Sequence, residues 1–324
     1  GYRHSIGTTR RGIGPTIQDA VGRHAGLSVD DLRDKDVLYE RLSDIVPMVN
    51  GQIAGQQRAI LEGRKTGRLQ ATADEYLERY LEPVEFDVDA LVEENVSNAA
   101  RLRDLLHITD TVPMIEKALE GDVNVLLEGA QGTMLDVNHG DKPYVTSSVT
   151  TAAGVSAAGL APADIDYVLG VVKAYPTRVG NGPFPSEIHG ETADKIRDLA
   201  NERGTTTGRP RRIGWMDIDA LGYAYRRNKF DAIAVTGLNV LPHVSELKVM
   251  LDGSYMDMPL WGELDAKKIL REGYEALPAE ALEYVNLIRS AMNGAHVSMV
   301  ALSFDPNETL VIENPFLKSR RAKN

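Results

Sequence analysis

The 324-residue sequence contains no cysteine and no run of 18 or more apolar residues. Without cysteine there can be no disulfide, no thiolate nucleophile and no cysteine-bound zinc, and this composition is compatible with the cytoplasm. Without a long apolar run, the sequence shows neither the pattern of a membrane-spanning helix nor that of a signal peptide. We therefore expect a cytoplasmic protein that does not associate with a membrane.

Positive charge is also scarce, since 36 Lys and Arg residues face 47 Asp and Glu residues and leave a formal net charge of −11. Nucleic acids and anionic membranes require an extended basic face, so both are disfavoured as partners. The hydrophobic fraction of 43% and the charged fraction of 26% are typical of a soluble globular protein. The first residue is Gly1 rather than Met, so we expect that the chain begins partway into a longer product.

The sequence has two parts with different patterns of apolar residues. Residues 30–120 show apolar residues at intervals of three and four, with Thr72 as a cap and Gly121 as a stop, which predicts a mainly helical subdomain. Short β-branched runs then alternate with helical stretches, and these runs are VNVLLEGAQG, IDYVLGVVKAYPTRVGNGPFP, DAIAVTGLN and HVSMVALSFDPNE. Such alternation predicts a mostly parallel central sheet flanked by helices. We expect one α/β domain over residues 1–324, with a helical insertion and an antiparallel hairpin turning at Asp252-Gly253.

One stretch, RGTTTGRPRRIGW over residues 203–215, concentrates positive charge in this acidic chain. Gly204 is expected to end the preceding helix, and Thr205–Thr207 add hydroxyls and backbone N–H groups. Arginine guanidinium groups bind carboxylate or phosphate through two parallel hydrogen bonds, and Pro210 stiffens the loop between two of them. The stretch predicts a site for one small anion. The alternative is a connecting loop whose arginines make structural salt bridges.

Two further stretches are rich in glycine and hydroxyl side chains. SIGTTRRGIGP, residues 5–15, is equally consistent with a phosphate loop and an ordinary turn, and its GxG lacks the context of a dinucleotide fingerprint. EGAQGTMLDVNHGDKPYVTSS, residues 128–148, places Gln131 directly after a predicted buried strand, where its amide suits a purine edge. The remaining polar side chains of this second stretch are interpreted as helix caps or phosphate ligands (Thr146, Ser147 and Ser148), an ordinary loop histidine (His139) and solvated carboxylates (Asp136 and Asp141).

Taken in order, these stretches resemble the signatures of the adenylosuccinate synthetase family. The matching patterns are GTTxRGIGP, EGAQGTxLDxxHGxxPYVTSSxTTAxG, KAYxTRVGxGPFPxE and TTGRxRRxGWxD, and the resemblance runs from Ser5 to ETLVIENPF near the end of the chain. It implies a P-loop-NTPase-like fold without its N-terminal strands. It also implies a ligase reaction in which a nucleoside triphosphate, usually GTP, drives the joining of L-aspartate to C6 of IMP in the presence of Mg²⁺.

The resemblance assigns roles by motif position. Gln131 would hold the reacting base edge as the catalytic residue of this chain, and Arg23 would reach the neighbouring site of a homodimer. The implied IMP-binding residues are Thr9, Arg23, Gln131, Thr146, Val179 and Arg209. The implied aspartate-binding residues are Thr205, Thr206, Thr207, Gly208, Arg209 and Arg211. The implied triphosphate-binding residues are Arg211, Gly237, Leu238, Asn239, Ala301, Leu302 and Ser303.

Two departures from the family pattern affect these expectations. No G-x-x-x-x-G-K sequence occurs in the chain, so the family's GDEGKGK-type segment, which carries its catalytic Asp, has no counterpart here. The family's catalytic His comes from a segment near that one, and it is also absent from this chain. We expect that the 324 residues alone cannot turn over, that they hold no metal ligands, and that they expose a sheet edge. The family's KLD reads Gly237, Leu238 and Asn239 here, and its STGP reads Ala301, Leu302, Ser303 and Phe304.

The second departure leaves the substrates open. Asp can accept both hydrogen bonds from guanine N1 and N2, whereas the amide of Asn239 can instead serve both edges of adenine, so ATP or relaxed use competes with GTP. A phage-type ligase that joins aspartate to dGMP with ATP is a second hypothesis, and a non-catalytic nucleotide-binding fragment is a third. A dehydrogenase is disfavoured because the chain has no Rossmann fingerprint.

Overall fold

The computed structural model describes residues 11–23, 26–66, 81–103, 108–121, 123–204, 208–293, 295–314 and 316. The chain divides into two compact units. One comprises Gly12–Thr111, and the other comprises Gly1–Arg11 with Val112–Asn324. The single domain expected over 1–324 stays a prediction.

The unit Gly12–Thr111 is helical in its described part. Its α-helices are α1 (Ile13–Gly22), α2 (Lys35–Lys65) and α3 (Val88–Arg103). The side chain of Asp34 caps α2 by accepting from the backbone N–H groups of residues 36 and 37. Leu38, Leu42 and Val46 of α2 pack against Val92 of α3. The helical patterns in these stretches are confirmed, whereas the helix expected over 72–82 and its cap Thr72 fall almost wholly outside the described residues.

The larger unit alternates strands and helices after its first helix. Its α-helices are α4 (Val112–Glu120), α5 (Glu191–Leu199), α6 (Ile218–Asn228), α7 (Ala266–Glu272) and α8 (Ala279–Ser290). Its strands are β1 (Leu169–Lys173), β2 (Thr177–Arg178), β3 (Glu187–Ile188), β4 (Arg212–Gly214), β5 (Met216–Asp217), β6 (Ala232–Thr236), β7 (Lys248–Leu251), β8 (Ser254–Asp257), β9 (His296–Ala301) and β10 (Thr309–Val311).

The main sheet has the strand order β1-β6-β9-β10. β1, β6 and β9 are parallel, and β10 pairs with β9 in the antiparallel direction. Because parallel strands end at the same edge, the loops that follow β1, β6 and β9 meet there. The predicted hairpin is also confirmed: β7 and β8 pair antiparallel, and the turn residues Asp252 and Gly253 have φ angles of 50° and 71°. The predicted α/β fold with a mostly parallel central sheet is therefore confirmed, and the two smaller sheets, β2-β4-β3 and β5-β7-β8, are antiparallel apart from the β5–β7 pair.

One face of the main sheet carries the core of the unit. Ile233, Val235 and Val300 are fully buried in a cluster that includes Tyr284 of α8. The Tyr284 hydroxyl donates to the Ala174 carbonyl at 2.5 Å, which fixes α8 to the end of β1. On β1, by contrast, Val171 is 72% exposed, and the described residues place no further strand beside this edge strand. A parallel sheet normally has both faces covered, so this part of the sheet is unusually open.

Two local predictions are wrong. VNVLLEGAQG forms no strand, and Val123 and Leu126 are 62% and 75% exposed, because no strand in the described part of the chain offers its backbone a hydrogen-bonding ladder. Gln131 therefore does not follow a buried strand. Nor does Gly204 end a helix, since α5 already ends at Leu199.

Across the described residues, no helix has the length and apolar character needed to cross a membrane.

Candidate nucleotide and anion site

The loop of residues 131–151, here called the glutamine loop, begins at a strained residue. Gln131 has φ 59°, a left-handed conformation that is uncommon for a residue with a side chain. Such conformations persist where the surrounding structure fixes them, and they cluster at functional sites. The hydroxyl of Thr150 donates to the Gly132 carbonyl at 2.8 Å, which closes the loop beside Gln131.

Asp136 organises the glutamine loop from inside. Its carboxylate is fully buried and accepts four backbone N–H groups, those of Asn138, His139, Thr150 and Thr151, at 2.8, 2.9, 2.7 and 3.3 Å. The expectation that Asp136 is solvated is therefore wrong. Burial opposes the charged form, but the four N–H donors outweigh it and hold the pKa of Asp136 below its usual value.

We expect Asp136→Asn to lower the free energy of unfolding of this unit by about 3 kcal/mol, because an amide has one acceptor oxygen and turns its own N–H donors toward the loop amides. Urea denaturation followed by tryptophan fluorescence measures this, since Trp215 and Trp261 both lie in this unit. The carboxylate stabilises the fold above its unfolded pKa of about 3.9, and this contribution is lost as the pH falls through the lower folded pKa. The difference between variant and wild type should therefore shrink in acid.

The control is Asp198→Asn, because the Asp198 carboxylate meets Arg203 only at 3.9 Å on an exposed surface and its loss is expected to cost less than about 1 kcal/mol. Equal losses in the two variants, or a loss that does not depend on acid pH, would contradict the assignment of Asp136.

Arg178 joins the glutamine loop to the loop after β2. Its buried guanidinium donates to the Asp141 carboxylate at 2.9 Å and to the Tyr144 carbonyl at 3.2 Å. Asp141 is thus paired rather than solvated, and that prediction is also wrong. The predicted cap role of Thr146, Ser147 and Ser148 is wrong as well, because the following 3₁₀ helix, Ala152–Ala158, begins after Thr151 and has no side-chain cap. Thr146 instead donates its backbone N–H to the Leu135 carbonyl at 2.8 Å.

Val179 lies in the loop between β2 and β3 and is 38% exposed. Arg212 holds this loop from β4 by donating to the carbonyls of Gly180 and Gly182 at 3.3 and 2.9 Å. Through Arg178 and Arg212, contacts therefore run from the glutamine loop to the loop carrying Val179 and on to the stretch that carries the arginines.

The stretch of residues 203–212, here called the basic loop, is closed at its base by backbone hydrogen bonds. The Arg211 N–H donates to the Glu202 carbonyl at 2.9 Å, and the Gly204 N–H donates to the Arg209 carbonyl at 2.8 Å. Gly208 has φ 63°, which a glycine adopts without steric cost, and its N–H donates to the Gly204 carbonyl at 2.7 Å. The aspartate-binding threonines, Thr205, Thr206 and Thr207, lie outside the described residues.

Three of the four arginines of the basic loop, Arg209, Arg211 and Arg212, have different surroundings. Arg212 pairs through two nitrogens with Glu187, which lowers the pKa of that carboxyl, so its role is structural. Arg211 donates to Glu202 at 2.7 Å, and its Nε is buried without a partner in the described structure. Arg209 is exposed. Both interpretations of the stretch are thus represented: Arg212 makes a structural salt bridge, while Arg209 and part of Arg211 are free to meet an anion.

A cavity of about 330 Å³ opens where β1, β6 and β9 end. Its lining residues include Lys173, Tyr175, Glu202, Gly237, Asn239, Ala301, Ser303 and Phe304. Gly237 has φ 79° and lies against the Tyr175 ring, where an added Cβ would come within 2.9 Å of a ring carbon. Burial raises the pKa of Tyr175, so its hydroxyl stays protonated.

Within this cavity Asn239 presents an unsatisfied polar atom. Its Oδ1 is buried and has no hydrogen-bond partner among the described residues. Phe304 is 64% exposed and can stack on a planar base. Leu238 and Leu302 differ from their neighbours, because their side chains are buried in the core at 0% and 1% exposure and do not line the cavity.

Sequence reasoning missed Lys173, Tyr175 and Glu202 in this cavity and Arg178 in its contact with the glutamine loop. KAY and TRVG belonged to a recognised pattern and could have pointed to three of them, whereas Glu202 had no signal in the sequence.

Three expected features, Thr9, Arg23 and a metal site, are not among the loops and the cavity described above. Thr9 lies outside the described residues, and Arg23, which follows α1 with an exposed side chain at φ 66°, belongs to the other unit. In the described part of the chain, no three His, Asp or Glu side chains come together to hold a metal ion.

A cavity at the carboxyl edge of the parallel strands, joined to the arginines of the basic loop through Glu202, is typical of α/β proteins that bind nucleotides or similar anions. The family model described as adenylosuccinate synthetase matches residues 2–253. The chain belongs to the adenylosuccinate synthetase family.

Individual relatives agree. The chain is 39% identical to an adenylosuccinate synthetase of Anaeromyxobacter sp. strain K, covering 96% of this chain and 70% of that protein. It is 37% identical to that of Haloarcula marismortui, covering 96% and 73%. Among solved structures, fully ligated adenylosuccinate synthetase from Plasmodium falciparum superposes with a TM-score of 0.76 at 27% identity, covering 95% of this chain and 71% of that one.

Proposed function

We propose that this chain provides the nucleotide and aspartate subsites of a purine-biosynthesis ligase that joins L-aspartate to C6 of IMP and forms adenylosuccinate. Family membership over residues 2–253 is the observation that carries this proposal. The geometry supports it, because the glutamine loop, the loop carrying Val179, the basic loop and the cavity are linked by shared contacts in one unit.

The reaction requires two groups to be held beside the purine. The triphosphate transfers its terminal phosphoryl group to the 6-oxygen of IMP, and the aspartate amine then displaces that phosphate at C6. We assign Gln131 to the base edge, because its amide both donates and accepts hydrogen bonds. Arg211, Arg209 and Thr205–Thr207 would bind the aspartate carboxylates, since guanidinium groups match a carboxylate in two parallel hydrogen bonds. Thr9, Thr146, Val179 and Arg23 would contact the monophosphate, with Arg23 reaching the second subunit of a homodimer.

For the triphosphate we propose ATP or relaxed use rather than strict GTP use. Guanine presents two donors, N1–H and N2–H, which require two acceptors at one side chain. The Asn239 amide offers one acceptor and one donor, which matches the N1 acceptor and the N6 donor of adenine. The unpaired, buried Oδ1 of Asn239 is the atom left to accept from that amine. Gly237, Ala301 and Ser303 line the same cavity and leave room for the base.

Two other candidate functions have less support. The hypothesis of a phage-type reaction with dGMP has weaker support, because the relatives at 37% and 39% identity are adenylosuccinate synthetases. A non-catalytic nucleotide-binding role remains the alternative for the 324 residues by themselves. We further propose that the enzyme acts in the cytoplasm and uses Mg²⁺, whose ligands would come from a segment outside these residues.

The proposal is tested in a completed chain, defined as these 324 residues joined to the N-terminal segment of a matched relative that carries the GDEGKGK-type sequence. With IMP, L-aspartate, triphosphate and Mg²⁺, the completed chain should form adenylosuccinate, detected by mass spectrometry. Gln131→Ala should lower kcat at least about 100-fold, because a preorganised hydrogen bond to the reacting base is lost.

Asp252→Ala is the matched control for Gln131→Ala. Asp252 has φ 50° in the β7–β8 turn, so the substitution carries a similar backbone cost far along the chain from the glutamine loop. If the completed chain formed no adenylosuccinate, the proposed function would be refuted. Equal losses in the two variants would remove the role of Gln131 alone.

A further inference from the structure

Glu202 is a buried carboxylate held by two cations. Its side chain is 5% exposed, and its two oxygens are divided between partners: Oε1 accepts from Lys173 Nζ at 2.6 Å, and Oε2 accepts from Arg211 Nη1 at 2.7 Å. The Tyr175 hydroxyl adds a longer hydrogen bond to Oε1 at 3.3 Å. One carboxylate thus faces two positive side chains, which leaves one positive charge in excess.

The two cations are more exposed than the carboxylate between them. Lys173 and Arg211 have side-chain exposures of 35% and 28%, so each presents part of its charged group to solvent while Glu202 lies behind. Arg211 also retains a buried Nε without a partner in the described structure. This is the arrangement expected where an anionic ligand is to be the remaining partner.

The backbone ties Glu202 and Arg211 together a second time. The Arg211 N–H donates to the Glu202 carbonyl at 2.9 Å, and the Arg197 guanidinium of α5 donates to the Arg211 carbonyl at 2.9 Å. Both the main chain and the side chain of Arg211 are therefore fixed from the base of the basic loop. Lys173, at the end of β1, lines the cavity.

We propose that Glu202 is a positioning residue that aims Arg211 at the aspartate carboxylate and keeps the basic loop in register with the cavity through Lys173. This inference rests on the proposed function. Glu202 does not touch the reacting atoms. It acts by restricting the rotamers of two long cations, and positioning groups of this kind matter because small displacements of a binding group are costly.

The test compares Glu202→Gln with wild type by calorimetric titration of IMP, followed by L-aspartate at saturating IMP. The glutamine keeps the shape of the side chain but turns an N–H donor toward one of the two cations. We expect aspartate affinity to fall roughly tenfold or more, because a charge-assisted hydrogen bond is lost, and IMP affinity to change by less than about twofold. Asp198→Asn is the matched control, since Asp198 meets Arg203 only at 3.9 Å on an exposed surface and should leave both affinities unchanged.

Each outcome bears on the proposal. Unchanged aspartate binding in Glu202→Gln would overturn it, and so would equal loss of IMP and aspartate binding, which indicates a structural role. If the single variant fails to fold, Lys173→Met with Glu202→Gln removes the uncompensated repulsion between the two cations. Aspartate binding that is weaker in the double variant than in Lys173→Met alone supports positioning, whereas equal affinity in those two variants overturns it. A wild-type chain that binds neither IMP nor aspartate overturns the proposed function itself.

Discussion

The 324 residues by themselves are expected to form adenylosuccinate at least about 10⁴-fold more slowly than the completed chain. The physical reason is that phosphoryl transfer is catalysed almost entirely by positioning and by electrostatic stabilisation around the transferred group. This chain has no G-x-x-x-x-G-K sequence, and its described residues offer no cluster for a metal ion. The cradle for the terminal phosphate and the general base would have to come from another segment.

The open part of the main sheet supports the same expectation. Val171 of β1 is 72% exposed, and outside the sheet Val123 and Leu126, which belong to no strand, are 62% and 75% exposed. Apolar surface of this kind is commonly covered in a complete α/β fold. The chain spans 73% and 70% of the lengths of the Haloarcula marismortui and Anaeromyxobacter relatives.

Single-turnover measurement with rapid quenching provides the test, with IMP, aspartate, ATP or GTP, and Mg²⁺. The segment of the relative by itself is the control, and it should be inactive. Mixing it with the 324 residues should restore part of the activity if it docks on the open sheet. A product burst from the 324 residues without it would refute the prediction.

The alternation of strands and helices was predictable because residues that become buried in strands are apolar and often β-branched, and such runs are visible in the sequence. The runs containing β1, β6 and β9 are rich in β-branched residues, and β7 with β8 turns at Asp252-Gly253, a pair that favours positive φ. Local patterns failed where pairing decides the outcome. VNVLLEGAQG has the composition of a strand, but a strand requires a neighbour, and the described residues provide none.

The candidate site was only partly predictable for a related reason. Arginine, threonine and glycine motifs indicated the loops, but the sequence did not reveal which arginine is satisfied internally. Arg212 is taken up by Glu187, whereas Arg211 shares Glu202 with Lys173, and these carboxylates are 25 and 9 residues away from their arginines. Asp136 shows the same limit, because its four N–H donors meet it only after the glutamine loop has closed.

The second large effect is expected from Asn239→Asp, which should shift the ratio of kcat/KM for GTP over ATP at least about 100-fold toward GTP in the completed chain. The substitution keeps the shape of the side chain and replaces its donor with a second acceptor. A carboxylate can accept hydrogen bonds from both N1–H and N2–H of guanine. Adenine N1 is itself an acceptor, so a carboxylate facing it makes no hydrogen bond and is repelled. Because the Asn239 Oδ1 is buried and unpaired in the described structure, no internal hydrogen bond of that oxygen has to be broken.

Asn201→Asp controls for the added negative charge, because Asn201 is exposed, tolerates its φ of 48° as Asp, and adjoins Ala200 and Glu202 of the same cavity. We expect it to leave the GTP to ATP ratio within about twofold, since an exposed charge is screened by solvent. Initial rates with each triphosphate at fixed IMP and aspartate give both ratios. A wild-type enzyme that strongly prefers GTP would end the ATP proposal. An unchanged ratio in Asn239→Asp would show that the base is read elsewhere, and the carboxamide at the end of β6 would then have no part in choosing the phosphoryl donor.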